Sequence, residues 1–345
     1  MRWHGAWLLG VALMTPRPHD ALFKAVFEAP AAAAALLRAL VPAAVRAAVA
    51  WETLGGERGS FVDPRLVDQH SDLLFRAQLR TGEPVYFLLE HQSTSDPAMP
   101  RRILTYQLRI WDRFVQAHPE AWLAPVIAVL VSQVPGGWRE ARAFEELFDP
   151  EVLAIAGLAA LVPRCSMIVE DLTRLTNDGL AARPLAGFQQ LALWLLRDAR
   201  EPARLLDSFD TWIPAMLELG RTRAGLDSLE VLITYMFRVI DPVNLEALRA
   251  KIHSLGSRIE EVAMTIAEYL HNEGLDEGHK KGLEEGLKTG LKKGRIDTLR
   301  SLLVLKFQGL GAEDEACLQA ASPEAIDRYL QRLLTADSLV AVFAD

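Results

Sequence analysis

Val85-Tyr86-Phe87-Leu88-Leu89-Glu90-His91-Gln92 is the stretch on which the reading of this chain turns. Its apolar and aromatic residues run without a polar break, as in a β-strand buried on both faces, and the run then ends on three polar side chains. An unpaired charge is costly to bury, so a carboxylate at the end of such a strand calls for a reason beyond packing. Upstream, Ser71 to Leu79 reads as a second strand, and Arg80-Thr81-Gly82 joins the two. A loop of that length wants a left-handed residue last, where Gly82 stands. The loop pairs Leu79 with Glu83, and counting outward sets Asp72 opposite Glu90. Directly opposed residues share a face with Cβ atoms roughly 5 Å apart. Gln92 points the same way as Glu90, and His91 points to the other face.

Two carboxylates that close destabilise each other unless a proton or a cation intervenes. Hard oxygen donors suit Mg²⁺ better than a soft metal, with Mn²⁺ or Ca²⁺ as alternatives. Held there, Mg²⁺ would activate water and polarise a phosphodiester. The plainer alternative is that one acid caps a turn and the other pairs with Arg76.

Glu90-His91-Gln92-Ser93, followed by Asp96-Pro97-Ala98-Met99-Pro100-Arg101-Arg102-Ile103-Leu104-Thr105-Tyr106, resembles the recombination-promoting nuclease (Rpn) family, also known as YhgA-like and transposase-like. His19-Asp20-Ala21-Leu22-Phe23-Lys24 matches that family's opening motif. The resemblance covers residues 15 to 175 well and the tail more loosely. It implies a PD-(D/E)xK nuclease core, in which an Asp on one strand joins Glu-x-Lys on the next. Asp72, Glu90 and Gln92 stand at those places, with Gln where the superfamily has Lys. It further implies Mg²⁺-dependent hydrolysis of DNA, a link to recombination or mobile elements, Asp72 and Glu90 as metal ligands, and an acid of the first helix, Asp20, completing the shell. An N-cap explains that Asp equally well. With Gln92 unable to carry charge, Lys24 or Arg76 would have to supply it. The family's aromatic-His/Asn-Gly segment is replaced by Ser132-Gln133-Val134, which puts that segment's role in doubt.

With 345 residues, 50% of them hydrophobic, the chain has room for a sizeable core in one large or two ordinary domains. A net charge of −8 argues against a globally basic nucleic-acid binder, so any contact with DNA falls to local patches. Cys165 and Cys317 form neither a ligand spacing nor a disulfide framework, which fits a reducing, cytoplasmic compartment. The longest apolar run, Val152 to Val162, is too short for a bilayer and reads as core. Residues 1–14 read as a loose tail or a misassigned start, because Met14-Thr15-Pro16 is a natural beginning.

The expected order is a helix from Asp20 that Pro30 splits or kinks, a strand over Ala43–Leu54, the hairpin, a helix from Pro100 to about His118, and a strand over Val126–Gln133. This gives an α/β core of αβββαβ order. A turn at Pro135-Gly136-Gly137, a short strand near Cys165–Val169 and helices from Leu180 to Tyr269 follow. The domain boundaries are then 15–175 for the nuclease-like core, 176–270 for a helical region and 271–345 for the tail. On the helix after Glu90, Arg102, Tyr106, Arg109 and Arg113 share a face that would contact DNA phosphates or simply be solvated.

In the tail, Gly274, Gly278, Gly282, Gly286, Gly290 and Gly294 recur every fourth residue, with Leu275, Leu283, Leu287 and Leu291 directly after glycines. As a helix this gives adjacent stripes of glycine and leucine, at a cost of roughly 1 kcal/mol per glycine relative to alanine. Close packing against a second copy would offset that cost and make a homo-oligomer; otherwise the segment is a flexible linker. Its Lys and Glu residues exclude a membrane span. The function expected is therefore a Mg²⁺-dependent DNA endonuclease. Its rival is a catalytically impaired nuclease-like protein that binds DNA or assembles through its tail.

Overall fold

The computed structural model describes residues 17–57 and 73–344. The chain divides into two compact units, residues 1–267 and 268–345. In the first, α1 (Pro18–Phe27) and α2 (Pro30–Leu40) lead through the short α3 (Ala43–Ala48) into β1 (Val49–Gly56). Proline at the first helical position fits both α1 and α2, since its missing N–H has no partner there anyway. The split at Pro30 follows. The strand expected from Ala43 begins only at Val49, because Ala-Ala-Val-Arg-Ala-Ala is rich in helix formers.

The hairpin of β2 (Leu73–Leu79) and β3 (Pro84–Gln92) has the expected register, running from Gln78↔Pro84 to Leu73↔Leu89. The Leu79 N–H donates to the Glu83 carbonyl at 2.8 Å, and Gly82 takes φ 105°, the left-handed region that closes the loop. Next come α4 (Met99–Ala117), β4 (Val126–Ser132), the one-turn α5 (Pro150–Leu153) and β5 (Ile168–Asp171). Among the described residues the strands form one sheet in the order β1-β2-β3-β4-β5. The first three run antiparallel to one another, and β3, β4 and β5 are parallel. Helix, three strands, helix, strand is the order anticipated.

Strand alternation sorts β3 onto two faces. Leu88 joins Met99, Ile103, Tyr106, Ala128 and Leu130 in a core beneath α4. On the other face Phe87 packs on Trp51, and His91 stacks on Phe23 of α1 at 4.9 Å between ring centroids. The Pro135-Gly136-Gly137 turn forms with both glycines left-handed, and a Cβ at Gly137 would come within 2.8 Å of the Asp171 carboxylate. The run Val152–Val162 departs from expectation: Val152, Ile155 and Leu161 are 46%, 60% and 81% exposed. The run breaks into a one-turn helix and a short 3-10 turn separated by the left-handed Gly157 (φ 84°), so its apolar side chains do not line up on one face.

Helices α6 (Asn177–Ala181), α7 (Gly187–Asp198), α8 (Pro202–Gly220), α9 (Arg223–Val239) and α10 (Leu245–His253) fill the helical region. Helices α7 and α9 pack against α1. The last residue of α7, Asp198, is fully buried and accepts from Arg197 at 2.6 Å, Arg204 at 2.8 Å and Ser208 at 2.9 Å. Helix α11 spans Ser257–Phe307, so the glycine repeat is helical. In the second unit its last turns share a core with α12 (Ala312–Ala320), α13 (Pro323–Leu333) and α14 (Leu339–Phe343) around Leu299, Leu303, Leu318 and Ile326. Gly282, Gly286 and Gly290 meet nothing within 4 Å, and Leu283, Leu287 and Leu291 are 68%, 64% and 61% exposed. Among the described residues no helix is long and apolar enough to cross a membrane.

Candidate functional site

Side chains from several elements converge on the polar end of β3. Glu90 is fully buried on the face of α4, and its Oε2 accepts from Arg102 Nη2 at 3.2 Å. Arg102 also donates through Nη1 to Asp96 Oδ2 at 2.6 Å. One guanidinium from the first turn of α4 thus holds two acids, and hydrogen bonds between charged partners are the stronger kind. The counter-charge of Glu90 is Arg102, and Arg76 lies toward the other end of the hairpin, opposite Tyr86. Arg102 is therefore committed to the site's own carboxylates, whereas Arg109 is half-buried and Arg113 exposed further along the helix.

Gln92 is buried two residues on, level with Ser132 of β4, and Ser132 is level with Asp171 of β5. Paired residues of parallel strands face the same way, so Gln92, Ser132 and Asp171 form a polar row across the ends of three strands. Such carboxyl-end edges are where open α/β sheets bind ligands. Asp171 accepts from the Trp138 N–H at 2.9 Å and pairs with Arg174 at 3.1 Å. In the sequence Ser132 stands only at the altered family segment and Asp171 in no motif; strand order brings both beside Gln92.

The other face of the strand end belongs to α1. Asp20 sits inside the first turn, so it is not the N-cap; that place is taken by Arg17, which makes no side-chain cap. The Asp20 carboxylate instead accepts from His91 Nδ1–H at 2.8 Å. Next to it, His19 Nδ1 meets the hydroxyl of Tyr235 at 2.7 Å, and His19 Nε2 accepts from Arg200 Nε at 3.0 Å. Arg200 also donates through Nη1 to the Ser93 carbonyl at 2.5 Å. Burial first, then the charge of Arg200, push the His19 pKa down to about 3, so the ring is neutral. Burial likewise raises the Tyr235 hydroxyl far above its ordinary value. Lys24 is exposed on α1 and takes no part in this network.

As for a metal, Glu90 and Gln92 offer hard oxygen donors on one face, the chemistry that suits Mg²⁺. Among the described residues no group of three His, Cys, Asp or Glu side chains could hold a metal ion. Asp72, the second acid of the expected pair, lies outside the described residues, as do residues 1–14. The ladder is described up to Leu73↔Leu89, one step short of it.

The family model described as putative transposase, YhgA-like, matches residues 17–224, well over half of the chain. The chain belongs to this family. The chain is similar to the recombination-promoting nuclease RpnD of Escherichia coli O157:H7, 26% identical over 264 residues that make up 75% of this chain and 96% of RpnD. RpnA of E. coli K12, another recombination-promoting nuclease, is 25% identical over 74% of this chain and 84% of its own length. RpnE of the same strain is 25% identical over 75% of this chain and 83% of its own, and is named an inactive recombination-promoting nuclease-like protein. No solved structure matches the chain. The matched stretch contains every site residue above except Tyr235, and reaches past the sheet into the helices that hold Arg200.

Proposed function

We propose that this chain is a metal-dependent DNA endonuclease of the PD-(D/E)xK type, acting in recombination or on mobile DNA. The observation that carries the reading is Glu90: a fully buried carboxylate at the end of a strand between antiparallel β2 and parallel β4, with Gln92 following on its face. The register read from the sequence would put Asp72 across from Glu90, and these two acids would hold the ion. Bound there, Mg²⁺ would polarise the phosphodiester and lower the pKa of an attacking water. Arg102 fixes the Glu90 carboxylate from one side and limits its rotamers. Gln92 neither gains nor loses a proton, so its part is to orient water or a phosphate oxygen through its amide. Asp20 contributes by orienting His91 behind the strand. Arg109 and Arg113 continue the α4 face along which the DNA backbone would run.

The test is cleavage of supercoiled plasmid with Mg²⁺ or Mn²⁺ against EDTA. Wild type should nick or cut only with the metal, and Asp72→Ala and Glu90→Ala should each abolish cleavage and weaken metal binding. Equal cleavage by the folded wild type and both variants would point to a contaminant and end the assignment. The absence of any cleavage by the wild type would favour the second reading, a nuclease-like binding module. That reading draws support from Gln92 at the Lys position and from the relative named inactive.

For the tail we propose pairing with a second copy, antiparallel. The glycine face and its leucines line an open groove of about 710 Å³ that ends at Leu330. Acids outnumber bases in the first half of this stretch (Glu268, Glu273, Asp276, Glu284, Glu285), and Lys288, Lys292, Lys293, Arg295 and Arg300 dominate the second. An antiparallel partner sets each half against its opposite charge, and glycine lets the backbones approach. Replacing Gly282, Gly286 and Gly290 by Leu should lower the mass seen in light scattering; an unchanged mass makes the helix a spacer.

A further inference from the structure

Arg200 differs from the other arginines whose side chains lie well inside the first unit. Arg102 meets Glu90 and Asp96, Arg183 meets Glu170, and Arg197 and Arg204 both meet Asp198. Arg200 is half-buried, and its partners among the described residues are the ring of His19 and the carbonyl of Ser93. Both are uncharged, since His19 is held neutral. Burial works against the Arg200 charge. Asp20, which favours that charge, is itself hydrogen bonded to His91. A desolvated guanidinium usually has a carboxylate to offset its cost. Here two neutral acceptors aim the fork and leave its charge unspent.

The place where this happens matters. Ser93 directly follows Gln92, so Arg200 touches the chain where β3 leaves the sheet. Its own backbone lies in the link between α7 and α8, which the buried Asp198 clamps through Arg197, Arg204 and Ser208. A rigid arginine fork with no anionic partner of its own is built to take a phosphate. The site also lacks a cation at position 92, and neither Lys24 nor Arg76 stands at the strand end.

We propose that Arg200, reaching in from the helical region, binds a backbone phosphate of the nucleic acid at the end of β3 and supplies the positive charge that Gln92 cannot. This rests on the nuclease reading above and adds a residue to it.

The experiment measures affinity for a short DNA duplex at several salt concentrations, in a Glu90→Ala background that cannot cut. Each phosphate contact adds about 0.9 to the slope of log affinity against log salt. Arg200→Gln should lower that slope by about 1 and weaken binding roughly tenfold at moderate salt. Arg200→Lys keeps the charge without the fork and should recover most of the slope. Thermal melting of both variants separates folding from binding. Weaker binding by a folded Arg200→Gln with an unchanged slope would make Arg200 a purely structural strut and overturn the proposal. So would a lost slope that Arg200→Lys, equally well folded, fails to recover. Were the Glu90→Ala parent itself to bind no DNA at any salt, the nucleic-acid reading would fall, and the proposed ligand with it.

Discussion

The end of β3 and the glycine helix solve opposite problems. At the strand end, Glu90, His91 and Gln92 are all at least nine-tenths buried, and side chains from α1, α4 and the α7–α8 link bond to this short segment. Along the glycine repeat of α11, Leu275, Leu283, Leu287 and Leu291 stay more than half exposed and the glycines face open space. The first region spends polar side chains to fix geometry. The second keeps apolar area free and gives up helix propensity to do so, which makes sense only where something else covers it. Burial of polar groups and exposure of apolar ones are each informative because each runs against the usual pattern.

The same truncation should therefore cost very different amounts in the two places. Phe23→Ala removes a fully buried ring that stacks on His91 and packs at a tilt against Phe27. It should destabilise the first unit by about 3–5 kcal/mol in urea titration. A loss below about 1 kcal/mol would show that the α1 face is loosely packed.

Smaller, and opposite in sign, is the effect of alanine in the tail. Gly282, Gly286 and Gly290 to Ala should together add about 2 kcal/mol to helix stability and raise the circular dichroism helix signal, since each glycine costs roughly 0.5–1 kcal/mol. No gain in helicity would mean that the glycines are already held by packing in solution.

His19 sharpens the contrast through pH. Unfolded, it takes up a proton near its ordinary 6.5; folded, it does so only near 3. Its contribution to stability is thus complete above about pH 6.5 and is lost as pH falls toward 3. In His19→Gln, the drop in urea midpoint between pH 7 and pH 4.5 should be smaller than in wild type. An equal drop in both would remove His19 from the acid response.

The smallest effect is expected for Leu283→Ala, whose side chain is 68% exposed. At low protein concentration it should change stability by no more than about 0.5 kcal/mol. A cost that grows with concentration would be the signature of the paired helix.

Much of this was legible from local pattern. The hairpin and its register follow from an apolar run, a Gly-closed loop and side-chain alternation, all within about twenty residues of sequence. Helix α4 follows from Pro100 and a clear apolar stripe. Elements without a strong period were misread: the alanine-rich Ala43–Ala48 as strand, and Val152–Val162 as core. Asp20 fits an N-cap on local pattern, but Pro18 starts the helix two residues earlier. What no local pattern could offer is the network behind the strand. Arg200 meets Ser93 across 107 positions and His19 across 181, and His19 meets Tyr235 across 216. Such pairings depend on how α7 and α9 pack against α1, and packing leaves no periodic trace at an isolated arginine.

Those long separations also have a consequence in time. A ribosome adds roughly 5–20 residues per second. The His19 ring must therefore wait on the order of ten seconds or more, 216 positions of chain, before Tyr235 has been made. During that interval the hairpin can form, since its own contacts are local, while the backbone beyond Gln92 still lacks its Arg200 tie. A nascent or truncated chain that ends before α7 would carry Glu90 and Gln92 without the Arg200 tie to Ser93. Arg200 is thus made after both groups it bonds to, and under the function proposed above an unfinished chain would lack the charge it brings.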